Sequence, residues 1–209
     1  LKERSYFGIK YGYYDIPMKL DPFDFDAYFK SKTEMVMAVT NCITGKAEYI
    51  TKAQSDNDNI IDYVRATGSL PFIAPEVEMN GKIYLDGGIA DSIPIKKAEQ
   101  DGYDKNIVIL TRDLTYRKSP FKLKLAAKLF YKKYPEFVEA LLNRHQMYND
   151  TIEYIIEQEK QGKIFVIRPQ TPVEIKRIEK NTDKLQKLYD SGYEAMRNMA
   201  QDLKSWMEK

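Results

Sequence analysis

Apolar positions along the chain fall into short runs whose spacing switches between two periods. EMVMAVTNCITGKAEYIT holds two β-rich runs, Met35 to Cys42 and Ala47 to Thr51, and Gly45 in the short stretch between them predicts a hairpin. The first run is nearly all apolar, so it should be buried on both faces. The polar cluster Asp56 to Asn59 can cap a helix that carries Ile60, Ile61 and Val64 and stops at Gly68. Pro71 and Pro75 then bound an apolar stretch. In VEMNGKIYLDGG two strand-like runs flank Asn80-Gly81, the pair a type I′ turn favours because both central residues need positive φ. Asp86 therefore falls at the far end of the second hairpin strand.

Downstream the rhythm is strand, helix, strand, which belongs to α/β folds. Pro94 opens a helix through Ala98 that ends near Gly102, and NIVILT (Asn106 to Thr111) reads as a short buried strand. From Arg112 to Asn149 the chain is basic and helical, and Ile152 to Gln158 extends that pattern. IFVIRP (Ile164 to Pro169) is a further strand, stopped by proline. Thr171 and Glu174 have capping-box spacing. Beyond them Leu185, Leu188, Tyr189, Met196, Met199, Leu203 and Trp206 recur at three- and four-residue steps, the mark of an amphipathic helix, with a bend expected at Ser191-Gly192. With no internal repeat or low-complexity linker, the economical division is one domain over 1–170 and a helical C-terminal extension over 171–209.

Composition narrows the partners. The formal net charge is +2 over 209 residues, which gives no argument for nucleic acid, so any basic site must be local. The single cysteine, Cys42, excludes an intramolecular disulfide and fits a reducing, cytoplasmic compartment. No apolar run approaches a membrane span. The chain starts at Leu1 and runs straight into aromatic sequence, SYFGIKYGYYDIP, so it reads as a cut end.

Asp86-Gly87-Gly88 alone is what a tight turn uses. Its surroundings say more. Ala66-Thr67-Gly68-Ser69-Leu70-Pro71-Phe72, then Ala74-Pro75, then Gly81 to Pro94 (GKIYLDGGIADSIP) is similar to the second signature block of patatin-like phospholipases. The resemblance extends, through VILTR and NRHQMYN, to the bacterial single-domain branch of that family and covers nearly the whole chain. It implies an α/β fold in which a patatin-like sheet, N-terminally truncated here, is flanked by helices. It also implies a Ser-Asp dyad, with Asp86 taking the proton from a serine directly, and a lipid or other acyl ester as substrate.

A serine hydroxyl needs such a base within hydrogen-bond reach to act as a nucleophile. The family's nucleophile sits in a GxSxG elbow, with an oxyanion hole from a glycine-rich loop further upstream. No serine of this chain lies in GxSxG, and Gly68-Ser69 is followed by Leu70-Pro71, which cannot build the elbow. The nucleophile is therefore expected upstream of Leu1 and the chain alone inactive, the rival being a non-catalytic lipid- or protein-binding relative that keeps the fold.

Other residues carry plainer readings. His145, the sole histidine, lies in a polar helical stretch and reads as solvated or locally bonded. One histidine and one cysteine make a zinc site improbable, no phosphate-binding fingerprint occurs, and neither metal nor organic cofactor is implied. Asp91 reads as a cap or turn for the helix at Pro94. Between Tyr116 and Lys133, helical spacing sets Lys124, Lys128 and Lys132 on one face and Phe121, Leu125 and Leu129 on the adjacent one. Two readings stand: a helix on an anionic membrane surface, or a surface helix packed on the core with its lysines in water.

Overall fold

The pairing of β-strands decides where Asp86 lies. The computed structural model describes residues 5, 8–175 and 178–208. Both foreseen hairpins form: β1 (Met37–Asn41) with β2 (Ala47–Ile50), and β3 (Val77–Met79) with β4 (Lys82–Asp86). Asn80 and Gly81 take φ of 51° and 72°, the left-handed values the turn requires. The two hairpins join through β1 and β4, antiparallel with Val39 opposite Asp86, into one sheet of order β2-β1-β4-β3.

Period-two alternation gives this sheet two apolar faces. Met37, Val39, Ile50, Val77, Met79 and Tyr84 pack with Ile60, Tyr63 and Ala66 of α2 (Ile60–Thr67). On the other side Leu85 and Ile89 join Ala127 of α4 (Lys124–Phe130) and Phe137, Val138 and Leu141 of α5 (Pro135–Lys160). Buried Cys42 belongs to this second cluster, and burial, then the charge of Glu76, pushes its thiol up to about 12, so it packs as an inert thiol.

The chain forms two compact units, residues 1–93 with 119–148, and residues 94–118 with 149–209. The first holds the four-stranded sheet, α1 (Phe25–Lys30), α2, α4 and residues 135–148 of α5. Its Lys10–Leu20 segment forms a wide π-helical coil with Pro17 inside, which no periodicity announced, and Tyr14 donates to Asp62 of α2 at 2.5 Å. In the second unit β5 (Asn106–Ile109) pairs in parallel with β6 (Ile164–Ile167). α3 (Ile95–Gln100) lies beside β5, and Tyr154 of α5 donates to Glu99 at 2.8 Å. The far end of α6 (Thr182–Met207) docks through Trp206, whose indole N–H donates to the Gly162 carbonyl at 2.9 Å.

Several expectations change. The Asp56–Asn59 cluster does not cap α2 by its side chains: Asp56 Oδ1 accepts from the Asp58 and Asn59 amides, and Asn59 accepts from the Asp56 amide, so it closes a turn on itself. β5 is buried only at Val108, while Ile107 and Ile109 are exposed, because among the described residues it pairs with β6 alone. No helix begins at Thr171: Pro172 follows it, and α6 starts behind Asn181, whose side chain accepts from the Lys184 amide at 3.0 Å. It runs unbroken through Ser191-Gly192. Between Tyr116 and Lys133 the chain is helical only over α4, so Lys132 lies beyond its end and half-buried Phe121 before its start.

The β1–β2 loop shows what a single position demands. Asn41 Oδ1 accepts from the Ile43 and Thr44 amides at 2.8 and 3.2 Å, and Gly45 closes the loop at φ 66°. A Cβ on Gly45 would sit 2.4 Å from the Glu136 carbonyl oxygen, whereas one on Gly81, φ 72°, meets nothing. Gly81→Ala should therefore cost about 1–2 kcal/mol, the left-handed penalty alone. Gly45→Ala should cost roughly 1–3 kcal/mol more, from overpacking on α5. Urea unfolding of the two variants checks this, and equal losses would remove the α5 contact from the explanation.

Candidate active site

Asp86 ends β4 and caps the single turn of 3-10 helix Gly87–Ile89, with its Oδ1 accepting from the Gly88 amide at 2.7 Å. Its amide donates to the Ser69 carbonyl at 2.9 Å, which ties the strand end to the segment leaving α2. Fully buried Thr40 of β1 donates its hydroxyl to the Asp86 carbonyl at 2.8 Å and accepts from the Ala90 amide at 3.2 Å. One side chain thus joins both ends of the Asp-Gly-Gly turn to the sheet. The Asp86 side chain sits half-buried at the rim.

The glycines serve close approach. Neither Gly87 nor Gly88 has positive φ. A Cβ on Gly87 would lie 2.0 Å from the Ala38 carbonyl oxygen, so only glycine lets the turn press against β1. On Gly88 it would lie 3.0 Å from Asp86 Oδ1 and 3.1 Å from Arg144 Nη2, in a space bordered by polar side-chain ends.

Both nearby serines have their hydroxyl hydrogens committed to backbone. Ser69, 3% exposed, donates to the Arg65 carbonyl at 2.8 Å, and Ser92 donates to the Gly88 carbonyl at 2.6 Å. Asp91 acts as a turn residue, accepting from the Ile93 amide at 3.3 Å, and also takes a 2.6 Å hydrogen bond from Tyr49 of β2. His145 bonds locally, its Nδ1 lying 3.0 Å from the Leu142 carbonyl, three residues back on α5. Among the described residues no group of three or more His, Cys, Asp or Glu could hold a metal ion.

Arg144 is the residue that pattern reading passed over. Its Nε donates to the Gly88 carbonyl at 2.6 Å. Phe137, Leu141 and Tyr148 are buried, and Arg144 falls between them at helical steps, so a cation on the apolar side of α5 was the available signal.

Lys124 and Lys128 lie on α4 and are exposed, as is Lys132 beyond its end. α4 packs through Ala127 and the following Tyr131, leaving Leu125, Leu129 and Phe130 71%, 66% and 66% exposed. Phe72 stands beside them at the unusual φ of 66°, its amide donating to Tyr131 Oη at 2.9 Å and its ring 5.3 Å from that of Phe130. Burial is the main reason the Tyr131 phenol is pushed up to about 12, and it stays a neutral acceptor.

Residues 18–98, a segment that includes Asp86, match the family described as patatin-like phospholipase. Residues 134–208 match a domain of unknown function, DUF6363. The chain is 28% identical over 143 residues to "Uncharacterized protein YjjU" of Escherichia coli (strain K12), an alignment taking in 62% of this chain and 40% of that protein. The chain therefore spans well under half the length of the curated relative it matches.

Gly87→Ala should cost about 3 kcal/mol or more, since the clash is with backbone, and Gly88→Ala about 1 kcal/mol, since side-chain ends can give way. Thermal unfolding of both variants measures it. A Gly87→Ala protein as stable as the parent would mean the turn does not depend on its approach to β1.

Proposed function

We propose that this chain is the base-bearing part of a serine acyl hydrolase that cleaves carboxylic esters of lipids, with Asp86 as the general base of a Ser-Asp dyad. The observation that carries the reading is a carboxylate at a strand end, half-buried, oriented by the next turn's amide and set within the patatin-like segment. A base in that setting can stay ionised while poorly solvated, which suits it to proton abstraction. The nucleophile in this reading belongs to sequence upstream of Leu1. Neither Ser69 nor Ser92 competes for the role, because each already donates to a carbonyl oxygen.

Attack would proceed with the upstream serine giving its proton to Asp86 as its oxygen adds to the ester carbonyl. The alkoxy group then leaves with the proton that Asp86 returns to it. Water next gives a proton to Asp86 as it adds to the acyl carbonyl, and the serine oxygen departs with that proton, freeing the acid and the enzyme. In the full-length protein Asp86→Asn should lower turnover by roughly 10³-fold or more without unfolding it, whereas His145→Ala should stay active. The 209-residue chain by itself should not be labelled by a fluorophosphonate. Wild-type turnover in Asp86→Asn, or stoichiometric labelling of a serine within the chain, would overturn the reading.

A lipid substrate requires access to a lipid surface, and α4 supports a peripheral contact with anionic membrane from the cytoplasmic side. Leu125, Leu129 and Phe130 are exposed together with Phe72, and Lys124, Lys128 and Lys132 flank them, an apolar patch rimmed by cations. Attraction to anionic lipid is worth on the order of 1 kcal/mol per lysine and is screened by salt. Changing all three lysines to glutamate should therefore abolish sedimentation with phosphatidylglycerol-containing vesicles at low salt and leave thermal stability unchanged. Equal binding to neutral phosphatidylcholine vesicles would refute the electrostatic contact.

A further inference from the structure

Gly88 is held from two directions. Its amide donates to Asp86 Oδ1 at 2.7 Å, while its carbonyl accepts from Arg144 Nε and from Ser92 Oγ, each at 2.6 Å. The two donors to that carbonyl are not equivalent. Ser92 lies four residues on in the same loop and moves with it. Arg144 projects from a helix whose neighbouring residues Phe137, Leu141 and Tyr148 are buried, so it ties the loop to a rigid element. Its Nη2 and Asp86 Oδ1 also border one small space, each about 3 Å from the point a Gly88 Cβ would occupy. A planar guanidinium suits this place, because its fork fixes direction as well as charge, which a lysine ammonium does not.

We propose that Arg144 is a positioning residue for Asp86: by anchoring Gly88 it fixes the amide that orients the carboxylate, and it sets a permanent positive charge beside that carboxylate. The proposal rests on the reading of Asp86 as the general base. Misplacement of a catalytic group by about 1 Å can cost roughly 10²-fold in rate, so Arg144 should affect turnover rather than substrate binding.

The experiment uses the full-length protein with p-nitrophenyl butyrate, measuring kcat and KM separately. Arg144→Met should lower kcat about 10²-fold with KM changed less than about twofold, the signature of an interaction lost in the transition state. Arg144→Lys should recover part of the loss, and Ser92→Ala should cost less than about tenfold. Methylguanidinium should raise the kcat of Arg144→Met and leave Asp86→Asn unaffected, a rescue that a purely structural defect would not show. A folded Arg144→Met with wild-type kcat, or a loss that neither lysine nor methylguanidinium relieves, overturns the proposal. If Arg144→Met does not fold, wild-type kcat in Arg144→Lys overturns it too. Asp86→Asn separates the cases: inactive beside an active Arg144→Met, it removes only the role of Arg144, whereas an active Asp86→Asn removes the dyad as well.

Discussion

The contact on which the first unit depends is the approach of Gly87 to the backbone of Ala38. β1 and β4 pair only up to Asp86, and the chain must then turn away without leaving the sheet. With no side chain at Gly87, the turn lies against β1, and the Thr40 hydroxyl can reach the Asp86 carbonyl and the Ala90 amide together. That hydroxyl is fully buried, and a buried hydroxyl without partners would be costly. The geometry of a surface carboxylate is therefore written into the core packing beneath it.

Local rules carried much of the fold in the sequence. Asn80-Gly81 announced its hairpin because only left-handed residues fit that turn, and the nearly unbroken apolar run of β1 announced a strand covered on both sides. The β1–β4 pairing was not legible, since period-two patterning tells which way side chains point but not which strand lies alongside. The exposure of Ile107 and Ile109 was hidden for the same reason: their apolar character promises burial, and only the pairing shows which neighbours exist. The π-helical coil through Pro17 had no signal at all, for helix rules give proline there as a stop.

The candidate site was legible in part. Asp86 and its glycines stood out through family resemblance, but what Gly87 must approach, the backbone of Ala38 on β1, did not. Arg144 sits among apolar residues at helical steps, and its partner is a backbone carbonyl some fifty residues earlier in the chain, which no spacing rule encodes. Lys132 was misplaced on the helical wheel because the wheel assumes a helix that continues, and α4 stops at Phe130.

The two-stranded sheet of the second unit has a practical consequence. Among the described residues neither β5 nor β6 has a second strand neighbour, and β5 turns Ile107 and Ile109 outward. Unpaired backbone donors and acceptors beside apolar side chains form a template on which another extended chain can add, the usual beginning of aggregation. Lys105 stands just before β5, and Arg168 and Pro169 just after β6, charge and ring placed where a growing stack would begin. A short, greasy edge of this kind is where self-association of the polypeptide is expected to begin on concentration.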